Sequence, residues 1–119
     1  MERLLLVEHN LLFRDGLALL LEWRTGLSSS LASTLAEARC VLGEGNRKPT
    51  CAIVDLDLPE GEGTELLEQL GGIPVLALIG SRSPHPERRA EAMRRGVDEV
   101  LRTGSVEKIA AAVERLIGC

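Results

Sequence analysis

Residues 54–63 read VDLDLPEGEG: an apolar run ends in Asp55-Leu56-Asp57 and then breaks into Pro59, Gly61 and Gly63. The run that leads in, Cys51–Val54, is too short for a helix and apolar on both faces, which is how a strand of a doubly covered parallel sheet reads. Two carboxylates at the tip of a buried strand are costly unless something positive uses them.

The same pattern recurs outward in both directions. Leu4–Val7 and Val75–Ile79 are short runs of the same kind, Val97–Leu101 is shorter and mixed, and Ser28–Ala32 is placed mainly by spacing. Helix-period segments lie between them. Leu12, Phe13, Leu17, Leu20 and Leu21 make the apolar face of a first helix. A second is expected from Thr34 to about Leu42, ended by Gly43, Gly45 and Asn46. A third covers about Gly63–Leu70 before Gly71-Gly72, and a fourth about Pro86–Arg95 before Gly96. In the last, Val106, Ile109, Ala110, Val113, Leu116 and Ile117 repeat at helical spacing, with Ser105 as N-cap and Gly118 as stop. Five strands and five helices in strict alternation predict an α/β domain with an open parallel sheet covered on both faces.

Bulk properties agree and narrow the function. The chain has 119 residues, the size of one domain, 1–119. A formal charge of −4 lacks the basic footprint of a nucleic-acid binder, and one Phe, one Trp and no Tyr leave no base-stacking surface. Cys40, Cys51 and Cys119 form no CxxC pair and read as reduced thiols of a cytoplasmic protein. No apolar stretch is long enough for a signal core or a membrane span.

In open parallel sheets ligands sit beyond the carboxyl ends of the strands, at the switch point of strand order. Glu8-His9 follows the first strand, Asp55 and Asp57 the third, and Ile79-Gly80-Ser81 the fourth. Glu8, Asp55 and Asp57 converge there if the first and third strands are neighbours. Clustered carboxylates persist where a cation neutralises them, and hard oxygen ligands suit Mg²⁺ or Mn²⁺. The plainer alternative is that each Asp starts a turn or caps the next helix.

Over essentially its whole length the chain resembles the receiver domain of two-component response regulators. The segments that carry the resemblance are RLLLVEHNLLFRDGLALLLE, AIVDLDLPEGEGTELLEQL, PVLALIG and GVDEVLRTGSVEKIAAAVERLI. The resemblance implies a flavodoxin-like (βα)5 fold with strand order 2-1-3-4-5. In this family the phosphoacceptor Asp stands four residues before a Pro and eight before a Gly. Asp55, Pro59 and Gly63 match, so Asp55 is the implied phosphoacceptor. Asp57 then stands where a backbone carbonyl is offered to the metal, its side chain at the site entrance. Phosphoryl transfer needs in-line attack by the carboxylate and neutralisation of the phosphoryl oxygens, with Mg²⁺ or Mn²⁺ as the implied cofactor. The implied partner is a histidine kinase or phosphotransfer protein.

The chain departs from the family at four places. The second acid after the first strand, a direct metal ligand, is His9, which suits only a transition ion; its plainer reading is a solvent-facing loop side chain. The hydroxyl that ends strand four is replaced by Ile79, the lysine that ends strand five by Thr103, and the switch aromatic of strand five by Val100. A charge-assisted contact to a phosphoryl group contributes ~1.5–3 kcal/mol, and a preorganised donor roughly 10²–10³ in rate. Losing two donors and a metal ligand therefore slows phosphotransfer by several orders of magnitude. Ser81 and Ser83 offer replacement hydroxyls, and Arg82 and Arg102 replacement cations, though each also reads as an exposed loop residue.

These departures imply a pseudo-receiver, a non-enzymatic module that works through protein contacts. The fourth helix carries Arg88, Arg89, Arg94 and Arg95 against Glu87 and Glu91. That run is a solvated face, or part of the helix-four, strand-five, helix-five surface through which receivers dimerise or hold an effector domain. The segment stands alone or precedes an effector, often a helix-turn-helix unit. The rival reading is a Toprim-like nucleic-acid enzyme domain binding Mg²⁺ through Glu8, Asp55 and Asp57. That family typically has Gly where His9 stands, and it does not explain Pro59, Gly63 or PVLALIG. A haloacid-dehalogenase motif would need Thr or Val at position 59, and a flavin site a phosphate loop after strand one.

Overall fold

A computed structural model describes residues 3–43, 48–58, 63–80 and 86–118. Along the chain run β1 (Arg3–Val7), α1 (Leu11–Thr25), β2 (Ser28–Ala32), α2 (Leu35–Gly43), β3 (Cys51–Asp55), a 3₁₀ turn (Gly63–Leu66), β4 (Val75–Ile79), α3 (Glu87–Arg94), β5 (Glu99–Arg102) and α4 (Val106–Leu116). All neighbouring strands are parallel, in the order β2-β1-β3-β4-β5, as expected.

Alternation along each strand divides the apolar residues between two cores. Leu5, Val7, Ala52, Val54, Val75, Ala77 and Ile79 face α2, the 3₁₀ segment and α3, meeting Leu35, Ala38, Leu66, Leu70 and Ala92. Leu4, Leu6, Cys51, Ile53, Leu76 and Leu78 face α1 and α4, meeting Leu17, Leu21, Ile109 and Val113. The strands are apolar on both faces because both faces are covered.

Caps set the helix ends. Asn10 accepts the Phe13 amide at 3.1 Å to start α1, which stops at Gly26 with φ 74°. Ser105 accepts the Lys108 amide at 3.3 Å to start α4, and Gly118 follows it at φ 83°.

The expected third helix is a correction: the described residues hold four α-helices, not five. From Gly63 the chain makes i→i+3 bonds, Leu67 N to Thr64 O at 3.1 Å, Gln69 N to Leu66 O at 3.0 Å and Leu70 N to Leu67 O at 3.2 Å. The tighter turns still deliver Leu66, Leu67 and Leu70 to the core, and Gly72, at φ 84°, ends the segment. The fifth strand starts two residues later than expected, because the Val97 amide closes the end of α3 on Ala92 O at 3.2 Å. Pro59, Gly45, Asn46, Ser81, Arg82, Ser83 and Cys119 lie outside the described residues.

Candidate functional site

The β1–β3 pairing sets Val7 beside Val54, so the next residues out, Glu8 and Asp55, meet at the carboxyl edge of the sheet. Both are buried, each 3% exposed. They form the floor of a pocket of ≈ 200 Å³ whose walls include His9, Asp57, Gly80 and Thr103.

Both oxygens of Asp55 are engaged. Oδ1 accepts the Asp57 amide at 2.8 Å, and Oδ2 accepts His9 Nδ1 at 2.6 Å. Glu8 Oε2 accepts the Asn10 amide at 2.9 Å and lies 3.4 Å from His9 Nδ1. Burial pushes the Glu8 carboxyl up to about 7; the neighbouring Asp55 adds to the rise, while the Asn10 amide and His9 oppose it. The hydrogen bond to Asp55 raises the His9 imidazole above its ordinary value, against the cost of partial burial. His9 is therefore no bystander of the loop: its side chain is 45% exposed, yet it is the hydrogen-bond partner of the buried acid.

Glycine at position 63 has a steric cause. A Cβ there would lie 2.1 Å from the Asp55 carbonyl oxygen and 2.9 Å from Val54 Cγ1. The chain re-enters directly against the back of Asp55, and only a residue without a side chain fits.

Ile79, Val100 and Thr103 differ in setting. Ile79 is 6% exposed and belongs to the core beneath α3, and Val100, 3% exposed, joins the same core. Thr103 lines the pocket, its amide held by Ile79 O at 3.1 Å. Arg102 reaches Gly80 O at 3.5 Å.

The arginines of α3 separate. Arg94 pairs with Glu91 at 2.6 Å and is 67% exposed. Arg95 pairs with Glu91 at 2.8 Å and reaches Thr64 O at 3.3 Å. Arg89 reaches Val100 O at 3.4 Å. Arg88 turns instead into the site, donating to Leu56 O at 3.2 Å and pairing with Asp57. Asp57 also accepts the Gly80 amide at 3.1 Å.

The sequence reading placed Arg88 on a solvated or interface face and missed its turn into the site. A signal was present: helices of a parallel α/β sheet start at the carboxyl edge, so first-turn side chains stand beside the pocket. A cation in the first turn also opposes the helix dipole, which suggests that another interaction holds it there.

Donor atoms of Glu8, His9 and Asp55 lie within 4.8 Å of one another, compact enough to hold a cation. The set does not fit Mg²⁺, which takes oxygen ligands in near-ideal octahedral geometry. One of the three donors is an imidazole nitrogen, better suited to a transition ion. The Asp57 carboxylate is not one of these three donors; it pairs with Arg88 and accepts the Gly80 amide.

No protein-family model matches the chain, and no curated protein sequence matches it. Solved structures do. A response regulator receiver domain protein from Methanospirillum hungatei superposes with a TM-score of 0.86 at 22% identity, over 99% of this chain and 94% of that one. A response regulator from Burkholderia pseudomallei, solved with a phosphorylated aspartic acid, a calcium ion and citrate, gives 0.78 at 26% identity, over 97% of this chain and 72% of its own. A receiver domain protein from Clostridium thermocellum gives 0.84 at 20% identity, over 99% and 95%. The chain has the receiver fold of two-component response regulators. Within that fold, Glu8, His9, Asp57 and Thr103 line the pocket with Asp55, while Ile79 and Val100 lie in the core.

Proposed function

We propose that residues 1–119 form one receiver domain that acts as a pseudo-receiver, with Asp55 at the phosphoacceptor position but phosphorylation weakened or abolished. The observation that carries this reading is the 2.6 Å hydrogen bond from His9 Nδ1 to Asp55 Oδ2. An oxygen needed for attack on phosphorus is occupied by the side chain that replaces a metal-binding acid, while the other already holds the Asp57 amide. Ile79 and Thr103 add the loss of a hydroxyl and a lysine. In this reading the domain is not an enzyme and works in the cytoplasm. Its output comes from protein contacts through α3, β5 and α4, as a homodimer or with an effector domain. Among the described residues no helix is long and apolar enough to cross a membrane. A histidine kinase or phosphotransfer protein is a phosphodonor only if Asp55 retains activity. The Toprim reading needs Glu8, Asp55 and Asp57 on one ion, and the Asp57 carboxylate is already engaged by Arg88 and the Gly80 amide.

Intact-mass spectrometry after incubation with a small-molecule phosphodonor, with Mg²⁺, Mn²⁺ or chelator, tests the reading. The expected result is no adduct within the time a competent receiver takes to saturate. A metal-dependent gain of one phosphoryl mass, absent in Asp55→Asn, would defeat it.

A further inference from the structure

Arg88 is the second residue of α3, and its side chain turns back over the sheet edge, leaving 16% of it exposed. Its guanidinium meets Asp57 and donates to Leu56 O at 3.2 Å. The Asp57 carboxylate also accepts the Gly80 amide just beyond β4, at 3.1 Å, and the Asp57 amide donates to Asp55 Oδ1 at 2.8 Å. A bonded path therefore runs from Asp55 through Asp57 to the first turn of α3, crossing the ends of two strands.

We infer that Arg88 is a counter-ion built into this pocket: it neutralises the acidic end of β3 in place of a divalent cation and clasps α3 to the strand tail, holding the α3 face in one position without metal or phosphoryl group. The inference rests on the receiver reading, in which this edge is the cation and phosphoryl site. Guanidinium is charged at every physiological pH, and its Nη1 serves the carboxylate and the carbonyl together. A hydrogen bond with a charge at both ends is among the stronger ones a protein makes. A divalent ion entering beside Asp57 meets a fixed positive charge and, at His9, a nitrogen where an oxygen is needed. The carboxylate that would draw such an ion towards α3 is already engaged.

The test compares thermal unfolding of wild type, Arg88→Gln and Asp57→Ala in EDTA, MgCl₂ and MnCl₂, with backbone amide exchange read across residues 87–94. Wild type is expected to unfold at the same temperature in all three. Arg88→Gln is expected to lose α3 protection and to unfold at a higher temperature in MnCl₂ than in EDTA, Mn²⁺ being the ion that the Glu8, His9 and Asp55 donors suit. Asp57→Ala is expected to lose the same protection without the metal response, and it keeps the test decisive should Arg88→Gln fail to fold. A wild-type midpoint that rises with Mg²⁺ or Mn²⁺ overturns the clasp, as does full α3 protection in either variant. A metal response without a phosphoryl adduct defeats the clasp alone. An adduct on a wild type indifferent to metal defeats the pseudo-receiver reading and leaves the clasp standing.

Discussion

At residue scale, two positions show how backbone and burial shape this pocket. Gly63 lets the chain return against the Asp55 carbonyl, where a Cβ would come within 2.1 Å of the oxygen. Gly63→Ala must displace either the 3₁₀ segment or the strand end. Urea unfolding should show a loss of about 1–3 kcal/mol, the usual cost of forcing extra volume into a packed site. Glu8 carries the second consequence. Its folded-state value of about 7 lies above the ordinary 4.5, so the native state binds this proton more tightly than the unfolded chain does. The stabilisation is fully present below about pH 4.5 and is lost as pH rises through about 7, a swing of about 3 kcal/mol. His9 is also raised and acts in the same direction from its own ordinary value of 6.5. Unfolding free energies at pH 5 and pH 8 should therefore differ less in Glu8→Gln than in wild type, by about that swing. Equal differences in the two proteins would show that Glu8 is ionised in the native state at no cost.

At element scale, what was legible in the sequence follows from how local each cause is. β1, β3 and β4 could be read because burial on both faces leaves a continuous apolar run. α4 could be read because one face of it is buried and Ser105 marks its start. Removing that cap in Ser105→Ala should cost about 1 kcal/mol, with Ser105→Gly closer to wild type, measured by denaturant titration. The 3₁₀ segment was misread as a helix because Leu66, Leu67 and Leu70 satisfy helical spacing, whereas the bonds actually formed are i→i+3. β5 was placed early because Val97 is as apolar as a strand residue but serves the exit of α3. Asp55 and Glu8 were legible as a pair because strand adjacency alone brings them together. The bond from His9 to Asp55 and the turn of Arg88 into the pocket depend on side-chain direction and on where α3 begins. Neither leaves a mark in periodicity.

At the scale of the whole molecule, frame and chemistry are separable. Receiver structures that share only 20–26% of their residues with this chain superpose on it at TM-scores of 0.78 to 0.86. The frame rests on two layers of apolar strand residues, and few of these line the pocket, so activity can be lost or regained without disturbing the fold. The triple variant His9→Asp, Ile79→Thr, Thr103→Lys should therefore fold with the same sheet. His9 is half exposed and Thr103 lines the pocket, so both tolerate the new side chains. Ile79 is buried against the α3 core, and the introduced hydroxyl should cost about 1–3 kcal/mol unless it finds a partner. In return the carboxyl edge of the sheet gains an oxygen ligand, a hydroxyl and a cation. Phosphoryl uptake from a small-molecule donor with Mg²⁺ should rise at least about 10²-fold over wild type, the contribution of a single preorganised donor. The adduct should vanish when Asp55→Asn is added. A folded triple variant that takes no phosphoryl group would show that these three positions do not by themselves decide phosphorylation at Asp55. The Arg88–Asp57 pair would then be the next contact to open.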